Sequence, residues 1–170
     1  MDKRERLDAI RSDLETATRP LNGTELAARF GVSRQAIVQD MAALRNEGIP
    51  VAATSQGYLL DRGRSGVRRL FAVRHGAEAI HDELRAVVDA GGTVADVIVD
   101  HPVYGEIRGA IGVRTRDDVT RFVTLLESSG RGALLTLSGG FHLHTVEAPD
   151  EATMSRVEEA LRTLGILLRP

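Results

Sequence analysis

The sequence predicts an α+β protein in two units: three helices and a short hairpin, then a larger unit of mixed strands and helices. Three observations carry this prediction. Apolar residues recur at helical spacing in three consecutive segments before Gly48, each bounded by a capping residue, Gly or Pro. A polar, glycine-containing stretch, Asp61-Arg62-Gly63-Arg64-Ser65-Gly66, then interrupts the pattern and is the natural linker. Beyond it, strand-like apolar runs alternate with helical ones, as in an α+β sandwich. The expected units are residues 1–62 and 67–170.

The first helix covers residues 3–17, with Leu7, Ile10 and Leu14 on one stripe; Pro20 and Gly23 break it. A second runs from Thr24 to Phe30, with Leu26, Ala27 and Phe30 inward. Gly31-Val32 makes a tight turn. Ser33 is a good N-cap for a third helix that reaches Glu47, buries Ile37, Met41 and Leu44, and stops at Gly48. Residues 50–53 and 58–60 are extended runs around Thr54-Ser55-Gln56-Gly57 and form a small hairpin. In the second unit, residues 67–74, 94–100 and 106–113 read as strands. Helices are expected over 77–89, from the Thr115 cap to about Gly130, and over 150–164. Residues 133–137 and 141–147 read as two strands joined by Ser138-Gly139-Gly140, and 166–168 as a final short strand.

Hydrophobic content of 42% in 170 residues is enough for packed cores, but aromatics make up only 4%, so Leu, Ile, Val and Ala must build them. There is no cysteine, which excludes disulfides and thiolate metal sites and leaves His, carboxylates and water as ligands. The charged N-terminus lacks a signal-peptide h-region, and no apolar run suffices to cross a membrane. The chain therefore reads as soluble and cytoplasmic, with no membrane partner. Formal net charge is −2. Residues 1–62 hold nine basic and nine acidic residues and the remainder 13 and 15, so charge alone does not mark the first unit as a binder of nucleic acid.

Geometry does mark it. Two short helices across a tight turn, followed by a hairpin, form a helix-turn-helix with a wing. The second helix of such a motif enters the major groove of double-stranded DNA. Opposite the buried stripe lie Gln35, Gln39 and Ala42, with Ser33 and Arg34 at the leading end. Glutamine bonds adenine edges bidentately, and arginine reaches phosphate or guanine. Gln56 at the hairpin tip is the candidate for a backbone or minor-groove contact. The other reading of these residues is a three-helix bundle that binds only protein.

The second unit holds the ligand-type residues. His142 and His144 form an H-x-H pair, and strand alternation points both imidazoles to the face shared with Val146. With His75 and Glu83 they make a kit for a divalent transition metal. On helix 77–89 the stripe is Ile80, Leu84, Val87 and Val88; Glu83 flanks one side and His81 the other, so His81 is assigned to solvent. The plain alternatives are strand histidines placed by chance and a solvated helix charge at Glu83. His101, before Pro102 at a strand end, is either a ligand contact or a turn residue capping backbone.

Two resemblances extend this reading. The run Thr24-Glu25-Leu26-Ala27-Ala28-Arg29-Phe30-Gly31-Val32-Ser33-Arg34-Gln35-Ala36-Ile37, continued by Asp40, Leu44 and Gly48, resembles winged helix-turn-helix domains of the biotin-repressor type. The C-terminal half resembles the 3H (three-histidine) domain of niacin-responsive transcriptional repressors. It does so through His75 with Glu83, Asp96-Val97-Ile98-Val99-Asp100-His101-Pro102-Val103-Tyr104-Gly105 and Gly140-Phe141-His142-Leu143-His144-Thr145. That family also carries an N-terminal winged helix-turn-helix, so the resemblance spans nearly the entire chain. It implies a metal on His75, Glu83, His142 and His144, a histidine-phosphocarrier-like fold, and a homodimer repressing genes for making or importing niacin.

Three imidazoles and a carboxylate suit nickel, zinc or iron. Nicotinic acid is the expected effector, with His101, Tyr104 and Arg108 as its expected contacts. The rival is a metal-dependent hydrolase of a small molecule, with Asp96 or Asp100 as base and a DNA-binding domain attached. A biotin-ligase relative (through Gly63-Arg64-Ser65-Gly66), a phosphocarrier with His75 or His101 phosphorylated, and a merely structural metal are the remaining readings.

Overall fold

Helix α1 (Lys3–Thr16) starts where Asp2 and Glu5 close a reciprocal cap: Asp2 accepts from the Glu5 N–H at 2.8 Å and Glu5 from the Asp2 N–H at 2.9 Å. The computed structural model describes residues 2–61 and 66–169. The chain divides into two compact units, Met1–Arg64 and Ser65–Pro170. The boundary read at residue 62 and the Gly63-Arg64-Ser65 stretch lie outside the described residues.

In the first unit, α2 (Gly23–Phe30) is capped by Asn22 and ends at Gly31 in the left-handed region; α3 (Arg34–Asn46) is capped by Ser33. Leu7, Ile10, Leu14, Leu26, Ile37, Met41 and Leu44 form one buried core, from the stripes the spacing assigns. Asp40 joins them at 1% exposure. Arg6 of α1 donates to both its oxygens, at 2.6 and 3.1 Å, and so ties α1 to α3. Strands β1 (Val51–Thr54) and β2 (Gly57–Leu60) pair from Val51↔Leu60 to Thr54↔Gly57. Leu21 bridges Tyr58 on the far side of β2, a pairing that the sequence reading did not foresee. A Cβ on Gly57 would lie 2.1 Å from the Leu21 carbonyl oxygen, so only glycine allows that close approach.

The second unit is an antiparallel sheet in the order β3-β6-β4-β5, built from β3 (Val67–Arg74), β4 (Thr93–His101), β5 (Gly105–Val113) and β6 (Phe141–Ala148). Helices α4 (Ile80–Asp89), α5 (Arg116–Ser128) and α6 (Glu151–Thr163) share one core with Phe71, Val94, Ile111 and Val146 of the sheet. β6 is last of the strands in sequence yet lies between β3 and β4, which is why His142 and His144 are buried. Its register with β3 is unbroken from Val67↔Ala148 to Arg74↔Phe141, so the H-x-H alternation survives. The bulge falls instead on β4, near Val94–Asp96.

Two expectations need correction. Residues 133–137 are not a strand; Leu134–Ser138 form a 3-10 helix. The Thr136 and Ser138 hydroxyls donate to the carbonyls three residues back, and Gly139 is left-handed, so local bonds win over sheet pairing. An apolar run this short does not announce its own period. Residues 77–79 are also a 3-10 turn that precedes α4. Ile166–Leu168 does run along the edge of β3, through Arg74 N–H to Ile166 and Leu168 N–H to Ala72.

Candidate metal centre

His75 directly follows β3, Glu83 sits on the inner side of α4, and His142 and His144 point inward from β6. These four side chains, far apart in sequence, converge. His75 Nε2 lies 2.6 Å from Glu83 Oε2, His142 Nε2 3.5 Å from the same oxygen, and His144 Nε2 3.3 Å from Oε1. Successive rings stand edge to face, with centroids 4.7 and 4.8 Å apart. One donor atom from each of His75, Glu83 and His142 falls within a 4.8 Å span. The Glu83 side chain is 1% exposed, not the solvated charge of the plain alternative. His81 does point to solvent.

The hydrogen bonds fix the proton on each ring. His75 Nδ1 faces the Gly76 carbonyl at 2.7 Å, His142 Nδ1 the Gly140 carbonyl at 2.9 Å, and His144 Nδ1 the Asp96 carbonyl at 2.6 Å. A carbonyl only accepts, so each Nδ1 carries the hydrogen. In a neutral imidazole each Nε2 is then a lone pair, and all three are aimed at a carboxylate that also only accepts. Lone pairs facing lone pairs in a buried site require protons or a cation between them. Glu83 Oε1 is buried without a hydrogen bond among the described residues, which is the mark of a missing positive partner. Nitrogen and oxygen donors, each ring anchored through its far nitrogen, fit a divalent transition ion.

Electrostatics agree. Burial pushes the Glu83 carboxyl up, but the charge of His144 and the close approach of all three imidazoles outweigh it and hold the carboxyl far below its usual range. Burial likewise lowers His75 and His144, and the hydrogen bonds and charge of Glu83 more than restore them, so both end above the ordinary 6.5. The resulting pH dependence has a definite sign. The contribution of the raised histidines is complete below 6.5 and is lost as pH rises through their folded values. That of Glu83, whose pKa is depressed, is present above 4.5 and lost as pH falls through its folded value. Metal-free protein is therefore expected to melt at a progressively lower temperature as pH is raised above 6.5, by calorimetry. A melting temperature that climbs over that range would contradict this arrangement.

Beside the cluster lies a cavity of about 220 Å³. Glu83, His142 and His144 border it. The rest of its lining is apolar or glycine: Ile80 and Leu84 from α4, Val97 and Ile111 from the sheet, Phe122 and Leu126 from α5, Leu134 and Leu135 from the 3-10 helix. No arginine or lysine is among the lining residues.

The three expected effector contacts are not brought to this cavity. His101 and Tyr104 occupy the β4–β5 turn, where His101 Nδ1 accepts from the Val103 and Tyr104 N–H groups and Tyr104 is 77% exposed. That is the capping role weighed as the alternative. Arg108 pairs with Asp96 at 2.5 Å. Asp96 also accepts from the Thr145 N–H at 3.0 Å, while its carbonyl holds His144, so it organises β6 at the bulge. Asp96 in this supporting role, Gly140 and the cavity walls were not foreseen. Gly140 was legible in part as the second glycine before a strand: its φ is +88°, and a Cβ there would come within 2.6 Å of the His75 carbonyl oxygen.

In the first unit, Ser33 caps α3 by accepting from the Ala36 N–H. Arg34, Gln35 and Gln39 are exposed along that helix, with Arg34 3.4 Å from the Thr24 hydroxyl. Gln56 lies in the β1–β2 turn, its N–H bonded to the Thr54 hydroxyl.

Comparison with known proteins agrees with both halves. Residues 6–59 match the HTH domain family and residues 68–170 the 3H domain family. The chain is 52% identical to the Probable transcription repressor NiaR of Thermotoga maritima over 166 residues, covering 98% of this chain and 95% of that protein. It is 41% identical to the Transcription repressor NadR of Bacillus subtilis over 168 residues, covering 96% and 93%. Among the described residues no helix is long and apolar enough to cross a membrane. A DNA-binding helix-turn-helix joined to a histidine-rich second unit, with full-length relatives of this kind, places the chain in the family of HTH–3H transcription repressors, which are regulators and not enzymes.

Proposed function

We propose that the chain is a metal-containing repressor that responds to nicotinic acid and controls genes of NAD biosynthesis or niacin uptake. The observation that carries the reading is the convergence of three Nε2 lone pairs and one carboxylate at the end of an apolar cavity. His75, Glu83, His142 and His144 would hold nickel, zinc or iron there. The bound ion would supply positive charge and an open coordination position. The walls contribute what a flat aromatic acid needs otherwise: Phe122, Leu126, Leu134 and Leu135 exclude water from a ring. An apolar cavity of about 150 Å³ accepts benzene, so the volume suits a single-ring ligand. With no arginine or lysine in the lining, a carboxylate has no cation to meet except one on the cluster. Without it, Glu83 repels a second carboxylate.

Binding at this place touches α4, α5 and the 3-10 helix together. A homodimer would convert their shift into the spacing of two α3 helices, which must lie about 34 Å apart to enter successive major-groove turns of an operator. Isothermal titration of nicotinate into protein loaded with nickel or zinc, and into chelated protein, tests the reading. Affinity is expected to fall about tenfold to a hundredfold on chelation, the worth of one contact to a charged group. Equal affinity in both states would overturn the metal-linked mechanism. Operator binding that is indifferent to nicotinate would overturn the effector.

A further inference from the structure

Val38 lies on the exposed side of α3 at 47% exposure. Its neighbours Ile37 and Met41 are fully buried, so the helix already has its core stripe without it. Among the described residues of the first unit, it is the one large apolar side chain left exposed. Helix stability does not favour it either, because a β-branched side chain loses rotamer freedom in a helix. Position 38 follows Gln35 by three residues and precedes Ala42 by four, with exposed Gln39 adjoining it. Spacings of three and four put these side chains on one face of α3. The major groove offers one prominent apolar group to such a face, the 5-methyl of thymine.

We propose that Val38 is a specificity-determining residue for DNA, packing its two methyl groups against the 5-methyl of a thymine in each half-site. The two glutamines on the same helix match adenine edges. The half-site read by α3 is therefore rich in A·T pairs, and Val38 distinguishes the orientation of one of them.

The test replaces thymine with deoxyuridine, which keeps every hydrogen-bonding group and removes only the methyl. A duplex is first selected from random sequence by the full-length, metal-loaded protein, in whichever state, with or without nicotinate, binds more tightly. Each thymine is then replaced singly. One position per half-site is expected to lose affinity about fourfold, the worth of one buried methyl. Val38→Ala should bind the two duplexes equally, whereas Val38→Ile should keep the preference. Val38 is outside the core, so the Ala variant is expected to melt with wild-type protein; should it not, Val38→Thr, with one methyl fewer, must show a reduced preference. The proposal is overturned if no thymine shows the effect, if the effect survives in Val38→Ala, or if selection yields no preferred sequence.

Discussion

Glu83→Ala is expected to remove much of the thermal stabilisation that nickel or zinc would confer on the second unit at the proposed centre. A ligand at a thousand times its dissociation constant stabilises a fold by about 4 kcal/mol. For a unit of roughly a hundred residues this raises the melting temperature by on the order of 15 °C or more. Glu83 is the one anion of the cluster and touches all three rings, so its removal leaves three neutral imidazoles without the charge that offsets a divalent ion. Calorimetry of wild-type and variant protein, with and without the ion, reads the result directly. An upward shift of the same size in Glu83→Ala would show that the ion sits elsewhere. Glu83→Gln separates charge from shape: it keeps an oxygen in place, so it should retain more of the shift than the alanine variant does.

Asp40→Ala should have an effect of similar size on the other unit, and leave the metal response intact. Asp40 is 1% exposed and receives two hydrogen bonds from Arg6, whose side chain is 13% exposed. Removing the carboxylate strands a guanidinium within the α1–α3 contact. Breaking such a pair costs about 3 kcal/mol or more. A unit of roughly sixty residues has a total stability of only about 3–9 kcal/mol. Operator affinity is therefore expected to collapse at physiological temperature, because α3 loses its support. Two calorimetric transitions, one lowered and one unchanged, would locate the damage. A variant that binds DNA as well as wild type would show that the pair is dispensable.

Much of this was legible from residue patterns, and the failures share a cause. The three stripes of the first unit are local, repeated every three or four residues, and each ends at a capping residue, so the helices follow from spacing alone. The inward pairing of His142 and His144 follows from strand alternation in the same way. Asp40 and Glu83 were harder. Asp40 falls in step with Ile37, Met41 and Leu44, yet a carboxylate at such a position reads as surface unless its partner is known, and Arg6 is distant in sequence. The helical angle puts Glu83 at the margin of its stripe; only the packing of α4 over β6 shows that the margin is buried. His101, Tyr104 and Arg108, the expected effector contacts, lie away from the cavity, which forms between the sheet, α5 and a 3-10 helix whose sequence reads as a strand. The contacts that orient the rings come from main-chain carbonyls of Gly76, Gly140 and Asp96, and a carbonyl has no letter in the sequence.

The donor set has a consequence for the conditions under which such a centre works. Sensors that grip their ion through thiolates lose it when peroxide converts sulfur to sulfenate or disulfide. This chain has no sulfur to lose at its cluster, and Met41 and Met154 are sealed inside the two cores. The imidazole and carboxylate donors of the proposed centre cannot form sulfenate or disulfide, so that route of ion loss is closed to it whichever ion it holds.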